Sequence, residues 1–181
     1  MFKKRLPTPL HNSERELSAW ALGELAQWFT IAREVPGRHC GGRTVRIDAV
    51  LRPRDRNLWH DPDIAFGVEF KLACRHSWDT REYTAWAAQM VDYTHVDWAG
   101  YGRLPILACP SLVEPFSTGE GGIGRAQLLA HLLGQFRVGE LTRTEQEGWS
   151  ILMHDTHVMW SQARGVREGR RWGLRPPVGN R

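Results

Sequence analysis

The sequence predicts an α/β fold: a central mixed β-sheet flanked by helices, with a C-terminal helix and hairpin extension. Three observations carry that expectation. The elements run helix, strand pair, central strand, helix, strand. Residues 45–51 alternate strictly, which puts Val45, Ile47, Ala49 and Leu51 on one side of a strand and Arg46, Asp48 and Val50 on the other. Residues 64–73 are apolar on both faces except at Glu69 and Lys71, the pattern of a central strand covered on each side.

Each element has its own signal. Residues 1–12 are basic and broken by Pro7 and Pro9, so they read as an extended lead-in. Ser13 followed by Glu16 has the spacing of a capping box, and a helix is expected to about Phe29 with Leu17, Ala21, Leu25 and Trp28 along one side. A short strand over 30–35 should end at Pro36-Gly37, before a glycine-containing turn at 39–43. The polar stretch 52–62 joins the alternating strand to the central one. Asp79 can cap a second helix, with Glu82 three residues on, running to about Val96. Residues 104–109 form a strand before Pro110, 119–124 a glycine-rich loop, 125–136 a helix, and 149–153 with 157–160 a terminal hairpin. The length bounds all this to one domain, 1–163, with a core at about 13–110, an extension at 111–163 and a Gly/Pro-rich basic tail at 164–181.

No apolar run approaches the about 20 residues needed to span a bilayer, and the N-terminus has no signal-like stretch, so a cytoplasmic protein without a membrane partner is expected. Cys40, Cys74 and Cys109 are odd in number and unpaired in spacing, which suits packing residues in a reducing compartment. The net charge of +4 is unevenly placed. The tail carries six arginines (Arg164, Arg167, Arg170, Arg171, Arg175, Arg181) against Glu168 alone, and a second group (Arg38, Arg43, Arg46, Arg52, Arg54, Arg56) surrounds the alternating strand. Arginine's planar fork of donors fits phosphate, which makes nucleic acid the leading partner. Among nine tryptophans, Trp20, Trp28 and Trp86 fit helix faces. Trp59, Trp78, Trp98 and Trp172 fall near loops, where they can stack on bases or line an interface.

Lysine occurs only at Lys3, Lys4 and Lys71, so a sequence that otherwise chooses arginine has one lysine inside an apolar run. Its compact charge and shiftable pKa are properties arginine does not supply. Glu69 and Lys71, two apart in a strand, project together, and the one-turn connection brings Asp48 alongside. Buried charges require partners, and two carboxylates repel, so a divalent cation resolves the arrangement. Mg²⁺, with Mn²⁺ as a substitute, takes oxygen ligands and keeps several waters; Asp48, Glu69 and the Phe70 backbone carbonyl can hold it while Lys71 assists an attacking water. On the second helix Gln89 and Tyr93 share a face, and Gln89 can orient the lysine or donate to a phosphate. The simpler reading of the same residues is a structural salt bridge in a sheet.

Together these residues resemble the PD-(D/E)xK nuclease superfamily. The first acid is Asp48 in Arg46-Ile47-Asp48-Ala49-Val50-Leu51, the Glu-x-Lys element is Glu69-Phe70-Lys71, and Gln89-Met90-Val91-Asp92-Tyr93 is similar to the Gln-x-x-x-Tyr pattern of several branches. Ser13-Glu14-Arg15-Glu16-Leu17 resembles the opening of the helix that, in junction-resolvase-like members, adds a glutamate to the metal site; Glu14 is then a further ligand, with Glu24 the alternative. The resemblance covers about residues 13–110. It implies a restriction-endonuclease-like three-layer core and a Mg²⁺-dependent DNA endonuclease with Asp48, Glu69, Lys71, Gln89 and Glu14 at the site, and a homodimer would meet both strands of a duplex. No proline precedes Asp48. The literal Pro62-Asp63 stands six positions before Glu69, so Asp63 is a rival for the first acid.

Other signals exclude more than they add. The glycine-rich stretch lacks a following Gly-Lys-Ser/Thr, no Gly-x-Gly-x-x-Gly follows a strand, and no nucleophile elbow is present, so no nucleotide cofactor or serine triad is implied. His154 and His157 read as structural rather than as zinc ligands. The rival functions are a catalytically inactive nucleic-acid-binding or assembly protein of the same fold, and a structural α/β protein with a basic tail.

Overall fold

The computed structural model describes residues 4–72, 80–112 and 122–167. The first helix, α1 (Glu14–Leu25), starts where Ser13 Oγ accepts the Glu16 N–H at 3.2 Å. Glu16 reaches back to the Asn12 N–H at 2.9 Å, so the expected box closes one residue further out. The helix ends earlier than the apolar spacing predicts, and Trp28 lies beyond it with its ring against Trp160.

Nine strands form one mixed, curled sheet in the order β4-β1-β2-β3-β5-β6-β7-β8-β9. They are β1 (Phe29–His39), β2 (Thr44–Pro53), β3 (Phe66–Phe70), β4 (Val96–Trp98), β5 (Ile106–Cys109), β6 (Val138–Thr144), β7 (Gly148–Met153), β8 (His157–Ser161) and β9 (Gly165–Val166). Two further helices, α2 (Thr80–Tyr93) and α3 (Gly122–Gln135), precede β4 and β6. The strand β3 is antiparallel to β2 and parallel to β5, and β5 is parallel to β6. Leu17, Ala21, Leu22 and Leu25 of α1 pack in one core with Val68 and Phe70. Tyr83, Trp86 and Met90 of α2 pack in a second with Ile106 and Ala108. No helix among the described residues is long and apolar enough to cross a membrane.

Several expectations are corrected. The terminal hairpin is not an appendage: β6 lies beside β5, so β6 to β9 continue the central sheet. Gly139 and Glu140 hid β6 in the sequence. Gly139 is there because a Cβ would collide with Met153, and Glu140 is buried because it is paired. The strand β1 runs through Pro36-Gly37 instead of stopping. The Pro36 carbonyl accepts from Ala99 on the side away from β2, so the missing N–H removes no β1–β2 bond. At Gly37 a Cβ would stand 2.4 Å from Val96 and 2.5 Å from Trp98.

The basic lead-in is also more than extended chain. Arg5 bridges to Thr144, and the Leu6 N–H donates to the Arg143 carbonyl, so this segment pairs with β6 beyond the end of β5. Arg5 donates to Glu140 at 2.6 Å and to Asp155 at 2.8 Å, and Ser111 donates to the other Glu140 oxygen at 2.9 Å. Asp79, Cys74, Trp78, Trp172 and the tail arginines from Arg170 onward lie outside the described residues. Gly122–Gly124 belong to α3 rather than to a loop.

Candidate active site

The alternation predicted for β2 breaks at the first acid. Val45, Ile47 and Val50 pack with the α2 core, whereas Ala49 and Leu51 pack with the α1 core. Both β1 and β2 change faces at the same level: Glu34 has φ +52, and the β1–β2 register passes from Arg33↔Ala49 to Val35↔Ile47. A left-handed glutamate absorbs the extra turn of the chain, at a cost of about 1–3 kcal/mol. This irregularity frees the Asp48 carboxylate from regular strand geometry.

Asp48 then does what main chain does elsewhere in the ladder. The β2–β3 pairing ends at Ala49↔Val68, and one step further the Phe70 N–H donates to Asp48 Oδ2 at 2.8 Å. Continuing that register places Glu69 across from Asp48. An extended residue presents its N–H and C=O to the same side, so the Phe70 carbonyl faces the Asp48 strand as well.

Glu69 points toward α2. Its Oε1 accepts from Gln89 Nε2 at 2.8 Å, and the same amide donates to the Tyr93 hydroxyl at 2.9 Å. Tyr93 donates onward to the Arg46 carbonyl at 3.3 Å, tying the helix to β2. Glu69 Oε2 is buried with no hydrogen-bond partner. Burial pushes the Glu69 carboxyl up to about 8, with the nearby Asp48 charge adding to the rise. Burial also raises Asp48 above its usual range, and the charges of Glu34 and Glu14 add to this while the Phe70 N–H opposes it.

Lys71 is not interior. The strand β3 has ended at Phe70, and the lysine stands at its open end, 47% exposed, with its ammonium 3.2 Å from Glu14 Oε1. The same oxygen accepts the Leu72 N–H at 3.3 Å. The first turn of α1 thus touches the chain just after β3, and the charges of Glu14 and Lys71 reach both Asp48 and Glu69. Glu24 is exposed, because Leu25 takes the core-facing position. Asp63 is 81% exposed and lies 3.7 Å from Arg52, away from this group.

The structure therefore brings Asp48, Glu69, the Phe70 backbone, Lys71, Glu14 and Gln89 to one end of β3. It leaves Glu24 and Asp63 outside. Glu34 is the residue that sequence reasoning missed. Only its place opposite Asp48 in an antiparallel pair could have revealed it.

Donor chemistry tests whether a divalent cation fits. Among the described residues no group of three His, Cys, Asp or Glu side chains forms a ready metal cage. What is present is a pair of carboxylates with raised proton affinity and one buried oxygen that lacks a partner. Hard oxygen donors in that number suit Mg²⁺, which keeps much of its water. His154 lies against His131 with ring centroids 5.4 Å apart.

The surroundings are less open than the arginine count implies. Arg46 pairs with Glu34 at 3.1 Å, Arg43 with Asp92, and Arg54 donates to the Ala26 carbonyl at 2.9 Å. Arg164 and Arg167 lie 3.8 and 3.9 Å from Glu147. Trp59 and Trp98 are buried, Trp59 against Phe66 and Trp98 edge-on to Tyr93, so neither is exposed for stacking on a base. Comparison with known proteins sets no relative beside this arrangement: no family model, no curated protein and no solved structure matches the chain.

Proposed function

We propose that the protein is a metal-dependent DNA endonuclease, with a restriction-endonuclease-like core made by α1, β1 to β3, α2 and β5. The observation that carries the reading is the facing pair Asp48 and Glu69, both with raised proton affinity, with the Glu69 Oε2 atom buried and unpartnered. Asp48, Glu69 and the Phe70 carbonyl would hold Mg²⁺ or Mn²⁺, and Glu14 is the further carboxylate in electrostatic reach. When bound, the ion would supply Lewis-acid activation of water and of the phosphate oxygens.

The chain's own groups do the rest. Gln89 fixes the rotamer of Glu69 through its hydrogen bond to Oε1 and leaves Oε2 directed elsewhere. Glu14 holds the Lys71 ammonium at the mouth of the site, where it can donate a hydrogen bond that orients the attacking water and offset charge growing on a phosphate. Leu72 braces Glu14 through its N–H, so the lysine is held by an anchored partner.

Plasmid DNA incubated with Mg²⁺ tests this, with Lys71→Ala as the control. Nicking or linearisation by the native protein, lost in the variant while DNA binding persists, is the expected result. Salt-sensitive binding without any cleavage would instead identify a nucleic-acid-binding protein of the same fold.

A further inference from the structure

A cleft of about 420 Å³ opens between the start of β2 and the outer side of α2, beside the acidic group. Its volume falls within the ~300–1,000 Å³ range of sites that enclose a small organic group. Val45, Ala85 and Ala88 give it low apolar walls, and both alanines are exposed on the helix surface. Gln89 and Tyr93 line it too, and Gln89 donates to Glu69, which links the cleft to the acidic group.

One rim carries a braced ion pair. Arg43 and Asp92 both line the cleft, and Asp92 holds one end of the guanidinium. The other Asp92 oxygen is 3.1 Å from His39 Nε2, so both carboxylate oxygens are engaged. Arg43 has five N–H donors and stays 58% exposed at its side chain, which leaves donors for an anionic group at the mouth. Apolar walls of this size with a fixed cation at the entrance match a flat heteroaromatic ring carrying a phosphate.

We propose that this cleft receives one unstacked nucleotide of the strand being cut, its base between Val45 and the alanines of α2 and its phosphate on Arg43. The inference rests on the hydrolase reading above and deepens it. A paired base stays in its stack, so a strand with an unpaired nucleotide next to the scissile phosphate is the favoured substrate.

The test uses a fluorescent DNA duplex with and without one unpaired nucleotide, with binding measured in Ca²⁺ and cleavage in Mg²⁺. The native protein should prefer the unpaired substrate by about tenfold, because extruding an already unpaired nucleotide costs less than breaking a pair. Ala88→Trp and Ala85→Trp, at exposed helix positions, should remove the preference without changing Tm. A native protein that binds both duplexes equally, or a preference that survives both substitutions, overturns the subsite. If cleavage proceeds without the preference, the subsite fails and the nuclease reading stands. If the preference exists and both substitutions remove it, yet no Mg²⁺-dependent cleavage occurs, the subsite holds and the nuclease reading fails.

Discussion

Asp48 and Phe70 are joined by a 2.8 Å hydrogen bond from the Phe70 N–H to the Asp48 carboxylate, at the step where main-chain pairing between β2 and β3 ends. The aspartate closes the ladder and stands across from the part-buried Glu69, so one side chain serves the fold and belongs to the candidate site.

Asp48→Asn separates those roles. The amide keeps an oxygen for the Phe70 N–H and removes the charge that repels Glu69. Cleavage should fall by more than the ~10–100-fold that loss of an outer-shell partner costs. The metal-free protein should melt at a higher temperature than the native one, as expected when a strained acidic pair is relieved. Calorimetry in EDTA beside a plasmid assay in Mg²⁺ checks both halves.

Glu69 makes metal-free stability depend on pH. Its carboxyl rises from an ordinary 4.5 to about 8 in the folded chain. Between those values the unfolded chain has released the proton while the folded chain keeps it, so stability falls as pH rises through this window and levels off above it. Melting in EDTA across the window should show a declining Tm, and Glu69→Gln should flatten the decline.

Gln89→Ala removes the donor that holds Glu69 Oε1. A hydrogen bond donated to a carboxylate favours its charged form, so its loss raises the carboxyl further. The acid limb of the cleavage profile should move to higher pH, with kcat falling more than KM rises. A residue that only packs would lower Tm and leave the limb in place.

Arg5→Ala tests the segment paired to β6. Its guanidinium is 13% exposed and satisfies Glu140 and Asp155, themselves 2% and 7% exposed. Removing one member of a buried ionic group costs about 3–5 kcal/mol. For a chain of this size that is a fall of roughly 6–20 °C in Tm. A change of only a few degrees would show that the two carboxylates find other partners.

Much of the site was legible because strand and helix periods place residues without tertiary knowledge. Asp48 and Glu69 fall on adjacent strands, and Gln89 and Tyr93 are four apart on one helix, whereas Lys71 lies just past the end of β3 and meets Glu14 instead of projecting beside Glu69. What was hidden arose from chain crossings. The face switch at Glu34 and Asp48 depends on two strands breaking together, so strict alternation assigned Ile47 to the wrong side. Glu140 carried no signal of burial because its partner, Arg5, is 135 positions away. Pro36 looked like a strand end because a sequence does not show which edge its missing N–H would have faced.

The proposal that Asp48 and Glu69 share one divalent cation is tested by titrating Mn²⁺ into the metal-free protein and following it by electron paramagnetic resonance. Saturable binding should weaken at least about tenfold, roughly 1.4 kcal/mol, in Asp48→Asn and again in Glu69→Gln. Mn²⁺ that binds both variants as it binds the native chain, or fails to bind the native chain, would contradict it.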